Sequence, residues 1–336
     1  MKAVRLNEIG GPQNLHVETL PDPTPGPGEL LVKITRAAFN RRDVFITQGL
    51  YPGIELPRTL GSDGAGTVAA LGSGTNGPAV GTRVVIDPML GWGDDPHVWG
   101  KANSILGMPK DGTFAEFVVV PAINVHPTPP HLNDEEAAAL PLAGLTAFRA
   151  LITRGRVTKD DVVLITGVGG GVQTFVLLFA KHIGAKTIVT SSSEAKLSRA
   201  QTLGADVAIN YTTSDSWSKE ARAAAGEGGP SLVVDSAGGE TFAQCVDIVR
   251  PGGRVVIYGG TTPKATIRAF PIFWKHVDIL GTSMGSPEDF AAMLAMVEAG
   301  KLHPAVDHVF AMDDVAAAAE KVAESAQFGK VVVAIG

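Results

Sequence analysis

VVLITGVGGGVQ, residues 162–173, is the stretch that decides the fold of this chain. A short run of apolar residues ends at Gly167, four glycines then fall within five residues, and an apolar helical pattern runs from Val172 to Ile183. A strand, a glycine-rich turn and a helix in this order are typical of a dinucleotide site, because a turn without Cβ atoms lets the backbone approach a pyrophosphate. The free N–H groups and positive dipole end of the helix then face that anion. The alternative is a glycine turn that binds nothing, since Val172 or Thr174 occupies the last glycine position of the strict motif.

The second strand of the predicted domain, residues 186–190, favours one cofactor over another. It is followed by three serines, which include Ser191 and Ser192, and by Lys196. A site for NAD usually places Asp or Glu here to hold the ribose hydroxyls, whereas hydroxyls and a cation suit a 2′-phosphate. The sequence therefore predicts NADPH rather than NADH. The alternative for Lys196 is a solvated helix cation.

Size and composition narrow the class of protein. The 336 residues exceed the usual size of a single core, so two domains are expected. A net charge of −6 without a basic run argues against a nucleic-acid partner. No apolar segment approaches the length of a membrane span, and the first residues lack the apolar core of a signal peptide. With one cysteine, Cys245, which we expect to be a packed core residue, the chain suits the reducing cytoplasm.

The chain divides into two textures. Residues 1–125 contain short β-type runs separated by Gly and Pro, which indicate a partly closed antiparallel β-domain. Residues 126–265 alternate strand and helix, which indicates an α/β domain with a parallel sheet and right-handed crossovers. The tail from residue 266 has a strand, two helices and a last strand. Gly91–Gly112 is the least regular segment, predicted as a surface excursion whose two tryptophans cap a cleft or a subunit contact.

Eight motifs occur in the order found in one known superfamily. They are MKAV at 1–4, FNRRD at 39–43, QGLYP at 48–52, LGSDGAGTVAALG at 60–72, GTFAEFVVVP at 112–121, ALPLAGLTAFRAL at 139–151, LGADVAINY at 203–211 and GGRVVIYGG at 252–260. On these motifs the chain resembles the medium-chain dehydrogenase/reductase superfamily, in the branch of zinc-free quinone oxidoreductases and zinc-type alcohol dehydrogenase-like proteins. The resemblance implies a GroES-like catalytic domain from 1–125 and 266–336, a doubly wound Rossmann domain from 126–265, and a homodimer. The β-type apolar run at 272–281 is the candidate for edge-to-edge pairing of the two copies.

The resemblance also addresses metal binding. Zinc-binding members place Cys at position 40, His and Glu at 62 and 63, and Cys or Asp near 142; here these positions hold Asn40, Ser62, Asp63 and Leu142. We predict no metal, because zinc takes thiolate, imidazole and carboxylate ligands. Alcohol oxidation then lacks the Lewis acid that stabilises an alkoxide, whereas hydride addition to a quinone or an α,β-unsaturated carbonyl compound needs none. The expected activity is an NADPH-dependent, zinc-independent reduction of such small electrophiles.

Three residues are candidates for the chemistry. In similar reductases Asn40 and Asp43 line the cleft beside the nicotinamide, and Asn40 is expected to donate to the acceptor oxygen. Tyr51 matches the tyrosine proposed as proton donor in related enoyl-thioester reductases. The structural alternatives are an N-cap role for Asp43 and a turn aromatic for Tyr51.

The resemblance implies cofactor contacts at several points of the Rossmann domain. Gln173 stands where relatives have a glycine, which affects how closely helix and strand approach. Tyr211 has the alternative of filling a gap between layers, and Lys330 of being solvated. The candidates are Gly169, Gly170, Gly171 and Val172 at the pyrophosphate; Ser191, Ser192, Lys196 and Tyr211 at the 2′-phosphate; Thr146, Tyr258, Gly259, Gly260, Gly281, Ser283 and Met284 around the nicotinamide side; and Lys330 near the phosphates.

Two alternative functions remain open. An enoyl-thioester reductase needs a basic entrance for coenzyme A phosphates, for which Arg41, Arg42 and Lys275 are candidates that form no convincing cluster. A non-catalytic NADPH-binding protein keeps the glycine turn and loses the polar cleft residues. The presence of Asn40, Asp43 and Tyr51 favours an enzyme.

Overall fold

The computed structural model describes all 336 residues, Met1–Gly336. The strands are β1 Lys2–Leu6, β2 Leu15–Thr19, β3 Glu29–Ala38, β4 Arg58–Thr59, β5 Asp63–Leu71, β6 Arg83–Ile86, β7 Met89–Leu90, β8 Ser104–Ile105, β9 Phe117–Pro121, β10 Val125–Pro127, β11 Val162–Ile165, β12 Lys186–Ser191, β13 Val207–Asn210, β14 Leu232–Asp235, β15 Arg254–Ile257, β16 Asp278–Gly281, β17 Val306–Ala311 and β18 Lys330–Ala334. The helices are α1 Arg41–Thr47, α2 Asp134–Ala139, α3 Pro141–Phe148, α4 Gly171–Ile183, α5 Glu194–Thr202, α6 Trp217–Ala225, α7 Gly239–Ile248, α8 Ala269–Lys275, α9 Pro287–Gly300 and α10 Val315–Ala323.

The chain forms two compact units whose limits differ from the expected ones. The first comprises Met1–Ala143 and Ser286–Gly336, and the second comprises Gly144–Gly285. The expected boundaries at 125/126 and 265/266 both move toward the C-terminus, to 143/144 and 285/286. Residues 266–285 join the second unit because β16 pairs in parallel with β15 and extends its sheet. The tail returns to the first unit only from Ser286.

The first unit is built on a seven-stranded sheet and matches the expected GroES-like domain. Its strand order is β10-β6-β5-β3-β18-β17, and β9 also pairs with β3. The last strand, β18, pairs antiparallel with β3 next to the start of α1. Apolar side chains that alternate along β3 enter a core with residues of α10 and β18. This pairing brings residues near the C-terminus next to residues near position 40.

The second unit contains a six-stranded parallel sheet in the order β13-β12-β11-β14-β15-β16. The strand order reverses between β11 and β14, which is the doubly wound Rossmann arrangement. Strands β11 and β14 are almost entirely buried, which explains the apolar runs VVLI in β11 and LVV in β14, where Asp235 follows as a buried polar residue. The expected α/β fold class is confirmed.

The segment before the last parallel strand is helical rather than extended. The strand expected early in the tail is present at Asp278–Gly281, but the first part of the β-type apolar run at 272–281, up to Lys275, belongs to α8. Phe270, Phe273 and Trp274 follow the i, i+3, i+4 spacing of one helix face and are all exposed. In this segment, an apolar run without strict alternation of apolar and polar residues is therefore the exposed face of a helix.

The irregular segment at 91–112 has little secondary structure besides β8. Trp92 is buried and its indole N–H donates to the carbonyl of Asp95, whereas Trp99 is largely exposed and meets Trp92 edge to face. The two tryptophans hold the segment together through their own contact.

Two findings concern the remaining expectations from composition. None of the helices has both the length and the apolar character that crossing a bilayer requires. Cys245 is buried in α7, as expected of a core residue, and burial raises the pKa of its thiol.

Asp87, between β6 and β7, predicts a pH dependence of stability. The side chain is buried and accepts the backbone N–H of Met89 at 2.9 Å, and burial raises its pKa to about 8. A carboxyl group with a raised pKa in the folded state stabilises the fold when protonated, and that contribution disappears as the pH rises from about 4 to about 8. Asp87→Asn keeps the acceptor oxygen and removes the titration. We expect the urea midpoint of this variant to fall less over that pH range than that of the wild type.

The exposed Asp313, in the same unit, provides the matched control. Asp313→Asn is expected to follow the wild-type profile. If the urea midpoints of Asp87→Asn and the wild type changed with pH in the same way, the assignment of this pH dependence to Asp87 would be contradicted.

Candidate functional site

The start of α1 positions the first group of candidate residues. Asn40 is the N-cap residue, and Asp43, three residues later, accepts the backbone N–H of Asn40 at 2.8 Å. The predicted N-cap role of Asp43 is therefore corrected: it caps the helix from its first turn, as in a capping box. Asp43 is fully buried and its Oδ1 has no hydrogen-bond partner. Burial raises its pKa to about 6, although Arg42 and the Asn40 N–H oppose that rise.

A buried ion pair lies next to this helix start. The ammonium of Lys330, at the start of β18, donates to Asp63 Oδ2 and to Asn40 Oδ1, both at 2.7 Å. Asn40 Nδ2 donates to the same carboxylate oxygen at 2.9 Å, and the backbone N–H of Leu142 donates to Asp63 Oδ1 at 2.7 Å. Lys330 is 3% exposed and Asp63 is fully buried. The Asp63 carboxylate thus has donors on both oxygens.

These hydrogen bonds define the surroundings of two candidate residues, Lys330 and Asn40. The solvated role weighed for Lys330 is wrong, because its ammonium is buried and bound to Asn40 and Asp63. Its contact with the cofactor phosphates stays a prediction. Asn40 is occupied by the same network through its oxygen and one N–H, so a single amide hydrogen remains for an acceptor oxygen.

The residues at the zinc-ligand positions of other members do not fit zinc. Asn40, Ser62 and Leu142 offer neither thiolate nor imidazole, and a tetrahedral zinc site needs three or four such ligands or carboxylates. The one carboxylate, Asp63, is held by an ammonium whose charge repels a cation. The described chain also contains no cluster of three His, Cys, Asp or Glu residues suited to a metal ion.

Arg42 forms a second buried group beside the ion pair. Its Nη1 donates to Ser62 Oγ at 2.7 Å and to the carbonyl of Leu106 at 3.0 Å, and its Nε donates to the phenol oxygen of Tyr51 at 3.3 Å. The guanidinium carbon lies 4.8 Å from the centre of the Tyr51 ring, in cation–π contact. We call Arg42, Ser62 and Tyr51 the arginine cluster.

Sequence reasoning placed Arg42 at a solvent entrance, and the structure corrects this: the residue is 8% exposed. The signal that would have found it is the small side chain at position 62. Ser62 stands where zinc-binding members have a histidine, so space and a polar partner are left for a long side chain on α1.

Tyr51 lies in the turn after α1 and is partly buried against the core of the first unit. Its role as a turn aromatic and its role as proton donor are compatible with this position. The proton-donor role stays a prediction, now with Arg42 as the group that contacts the phenol oxygen.

In the second unit, the glycine turn lies at the N-terminus of α4. The helix begins at Gly171 with Gly170 as its N-cap, and Gly167 and Gly169 have positive φ angles of 66° and 136°. The first α-helical hydrogen bond runs from Thr174 N to the Gly170 carbonyl, so the preceding N–H groups of the turn have no intrahelical partner. This arrangement fits a dinucleotide pyrophosphate.

The side chain of Gln173 extends from α4 to the end of the neighbouring strand β14. Its Nε2 donates to Ser236 Oγ, just after β14, at 2.7 Å. A Cβ on Gly170 would lie 2.4 Å from Gln173 Oε1, so the amide lies directly beside the turn. The missing glycine is thus replaced by a side chain that links the turn to the next strand.

Three of the four 2′-phosphate candidates lie at the carboxyl ends of β12 and β13, and Lys196 lies in the first turn of α5. The backbone N–H of Tyr211 donates to the Ser191 carbonyl at 3.1 Å, and Ser192 is exposed beside them. The stem of Lys196 lies over the glycine turn, since a Cβ on Gly169 would come within 2.7 Å of Lys196 Cδ. Tyr211 is 44% exposed, so the gap-filling alternative is wrong.

A hydrogen-bond network that the sequence did not predict joins the ends of β11 and β14. Asp235 accepts from Thr166 Oγ1 at 2.5 Å and from the Gly238 N–H at 3.0 Å.

The remaining candidate residues lie after β15, around the end of β16 and within α3. Tyr258, Gly259 and Gly260 follow β15, Gly281 ends β16, Ser283 and Met284 follow it, and Thr146 is buried within α3.

The buried ion pair predicts a large effect on stability. Lys330→Met leaves Asp63 as a buried carboxylate without its cation, which is expected to lower the free energy of unfolding by about 3–5 kcal/mol. Adding Asp63→Asn removes the unpaired charge and is expected to restore part of the loss. Urea unfolding measures both.

Lys321 pairs with Asp307 nearer the surface of the same unit and serves as the control. Lys321→Met is expected to cost about 1 kcal/mol or less. Equal losses of unfolding free energy in the two lysine variants would show that the Lys330–Asp63 pair contributes no more to stability than the Lys321–Asp307 pair.

Comparison with known proteins is consistent with both units. A model of the alcohol dehydrogenase GroES-like domain matches residues 26–130, and a model described as zinc-binding dehydrogenase matches residues 171–299. A solved structure of an NAD-dependent alcohol dehydrogenase superposes with a TM-score of 0.93 at 38% identity and covers 100% of both chains. A quinone oxidoreductase from Coxiella burnetii superposes with a TM-score of 0.82 at 26% identity, covering 100% of this chain and 99% of that one.

Curated relatives cover nearly the whole chain. The zinc-type alcohol dehydrogenase-like protein YogA of Leptosphaeria maculans is 35% identical over 96% of this chain and 94% of its own length. A zinc-type alcohol dehydrogenase-like protein of Schizosaccharomyces pombe is 36% identical over 100% and 99%, and an acryloyl-coenzyme A reductase of Sulfurisphaera tokodaii is 29% identical over 99% of each. With these relatives, and with a GroES-like unit joined to a doubly wound dinucleotide unit, the chain belongs to the medium-chain dehydrogenase/reductase superfamily and is an oxidoreductase of that nicotinamide-dependent type.

Proposed function

We propose that this protein uses NADPH to reduce a quinone or an α,β-unsaturated carbonyl compound without a metal ion. The proposal rests on the residues that stand at the positions where other members of the superfamily bind zinc. There an ammonium neutralises Asp63, and hydrogen-bond donors of Arg42 and Asn40 lie beside it. Such a site offers donors to a carbonyl oxygen and lacks the Lewis acid that alcohol oxidation uses.

The chemistry follows from the donors. NADPH, when bound, would supply a hydride to the conjugated carbon of the acceptor. Hydrogen-bond donors of Arg42 and Asn40 would stabilise the negative charge that develops on the acceptor oxygen. The Tyr51 phenol is the candidate that delivers the proton which completes the reduction.

The preference for NADPH is supported by the edge formed by β12 and β13. Ser191, Ser192 and Tyr211 lie together there, and Lys196 extends from α5 toward the glycine turn. Hydroxyl groups and an ammonium suit a phosphate dianion better than a neutral ribose hydroxyl.

Lys196→Ala tests this preference. We expect the Kd for NADPH to rise about tenfold or more while the Kd for NADH changes less than about threefold, because only NADPH carries the 2′-phosphate. Fluorescence titration measures both constants. Lys219→Ala, on the exposed face of α6, is the matched control and is expected to leave both unchanged. A tighter affinity of the wild type for NADH than for NADPH would refute the preference.

The activity itself is tested with a panel of acceptors. Quinones, enones, enals, enoyl thioesters and simple ketones are offered with NADPH to protein treated with EDTA. We expect turnover of a quinone, enone or enal, and no gain from added zinc. Activity that appears only with zinc and a simple alcohol or ketone would contradict the proposal.

The contacts of the basic residues argue against the first alternative function, and the acceptor panel tests the second. The basic entrance of an enoyl-thioester reductase is not supported, since Arg42 is buried and Lys275 Nζ donates to three carbonyls at the end of α7. Arg41 is bound to the carbonyls of Val322 and Ala323. Enoyl thioesters stay in the panel because an acryloyl-coenzyme A reductase is among the relatives. A protein that binds NADPH and reduces nothing in the panel would be the non-catalytic alternative.

We also propose a homodimer. Strand β16 is the edge of the parallel sheet, and the neighbouring helix α8 exposes Phe270, Phe273 and Trp274. An open edge beside exposed aromatic side chains is a surface that proteins usually cover.

Light scattering tests the assembly. We expect the mass of a dimer for the wild type and of a monomer for a variant that combines Phe273→Glu with Trp274→Glu. Val80→Glu, at an exposed apolar residue of the first unit, is the control and is expected to remain dimeric. A monomeric wild type would refute the proposal.

A further inference from the structure

Arg42 carries a hydrogen-bond donor that the protein itself leaves without a partner. Nη1 and Nε reach Ser62, Leu106 and Tyr51, but Nη2 is buried and has no acceptor. Burying a guanidinium N–H without an acceptor is costly, so unpaired ones are rare in folded proteins. Nη2 is therefore the donor of Arg42 that a further oxygen would satisfy.

The neighbouring carboxylates do not supply that oxygen. Asp63 is already bound by Lys330, Asn40 and the Leu142 N–H. Asp43 Oδ1 lies 3.9 Å from Arg42 Nη1, beyond hydrogen-bond distance, and it has no partner either.

The charges nearby indicate which kind of oxygen suits the site. Two cationic side chains, Arg42 and Lys330, lie beside two carboxyl groups, Asp43 and Asp63. The surroundings are thus close to neutral, which suits a neutral carbonyl in the ground state. A guanidinium donor then becomes more valuable as negative charge develops on that oxygen.

We propose that Arg42 Nη2 binds the carbonyl oxygen of the acceptor and stabilises the enolate or hydroquinone anion formed during hydride transfer. The inference rests on the proposed reduction of a conjugated carbonyl compound or quinone by NADPH. It identifies Arg42 as the residue that polarises the acceptor carbonyl, and it predicts that the acceptors are compounds whose oxygen becomes anionic.

The same guanidinium also contacts the candidate proton donor. Hydride adds to the conjugated carbon, the π electrons move to the oxygen held by Nη2, and the phenol proton of Tyr51 passes to the enolate. The resulting phenolate stays hydrogen-bonded to Arg42 Nε and recovers its proton from solvent. One side chain therefore aligns the two steps, oxyanion formation and protonation.

Kinetics of Arg42 variants test the inference. Arg42→Met is expected to lower kcat at least about 100-fold, while the Kd for NADPH stays within about threefold of the wild type. Arg42→Lys is expected to be intermediate, since an ammonium keeps the charge and loses the planar fork. Arg83→Met, at an exposed arginine of the same unit, is the control and is expected to keep full activity. Turnover of Arg42→Met within about threefold of the wild type would overturn the inference.

A spectroscopic measurement separates this role from a structural one. The dye para-nitrophenol is a phenol whose anion absorbs visible light, and it imitates the developing oxyanion. At a pH where the free dye is mostly protonated, wild-type protein with NADP⁺ is expected to bind the anion and raise the visible band. Arg42→Met and Arg83→Met are compared at equal concentration, and only the first is expected to lose the band.

The two measurements also distinguish failure of the inference from failure of the proposed function. If the wild type reduces no acceptor of the panel, the proposed function fails, and the dye titration still decides whether Arg42 binds an oxyanion. If the wild type binds no dye anion, or Arg42→Met binds it equally well, the inference fails whatever the activity. If Arg42→Met does not fold, Arg42→Lys takes its place in the titration, and an undiminished visible band in that variant would count against the planar guanidinium as the donor.

Discussion

The ion pair between Lys330 and Asp63 is the interaction on which the rest of the first unit depends. It joins the last strand, β18, to the start of β5, although the two residues are 267 positions apart. The Asn40 side chain and the Leu142 N–H complete it, so the N-cap of α1 and the start of α3 are tied to the same carboxylate. An isolated charge at this depth would be very costly, and the pair is tolerated because the donors satisfy both oxygens.

This interaction also sets the chemistry available nearby. With an ammonium on Asp63 and an asparagine at position 40, the positions that hold zinc in other members of the superfamily present hydrogen-bond donors instead of metal ligands. Ser62 is small, and the guanidinium of Arg42 occupies the space beside it. The residues at these positions therefore act together: Asn40 and Ser62 replace metal ligands, and the neighbouring cations Lys330 and Arg42 use them and Asp63 as hydrogen-bond partners.

Sequence reasoning succeeded where structure is local and failed where distant residues meet. The glycine turn and the buried strands β11 and β14 were predicted because strand, turn and helix patterns lie within a few residues of one another. The partner of Asp63 and the burial of Arg42 depend on β18 pairing with β3 and on the size of residue 62, which no local pattern contains. The helix α8 was misread because its exposed aromatic side chains imitate a buried strand. The boundary at Ser286 was missed because β16 belongs to the sheet of the second unit by pairing alone.

The central claim is a hydride transfer that requires no metal. The most direct measurement uses NADPH deuterated at the transferring position, protein freed of metal by chelation, and mass spectrometry of the reduced enone or enal. The account predicts one deuterium on the conjugated carbon of the product, formed by protein that elemental analysis shows to lack stoichiometric zinc. Product without deuterium, or transfer that stops on chelation and returns only with zinc, would contradict it.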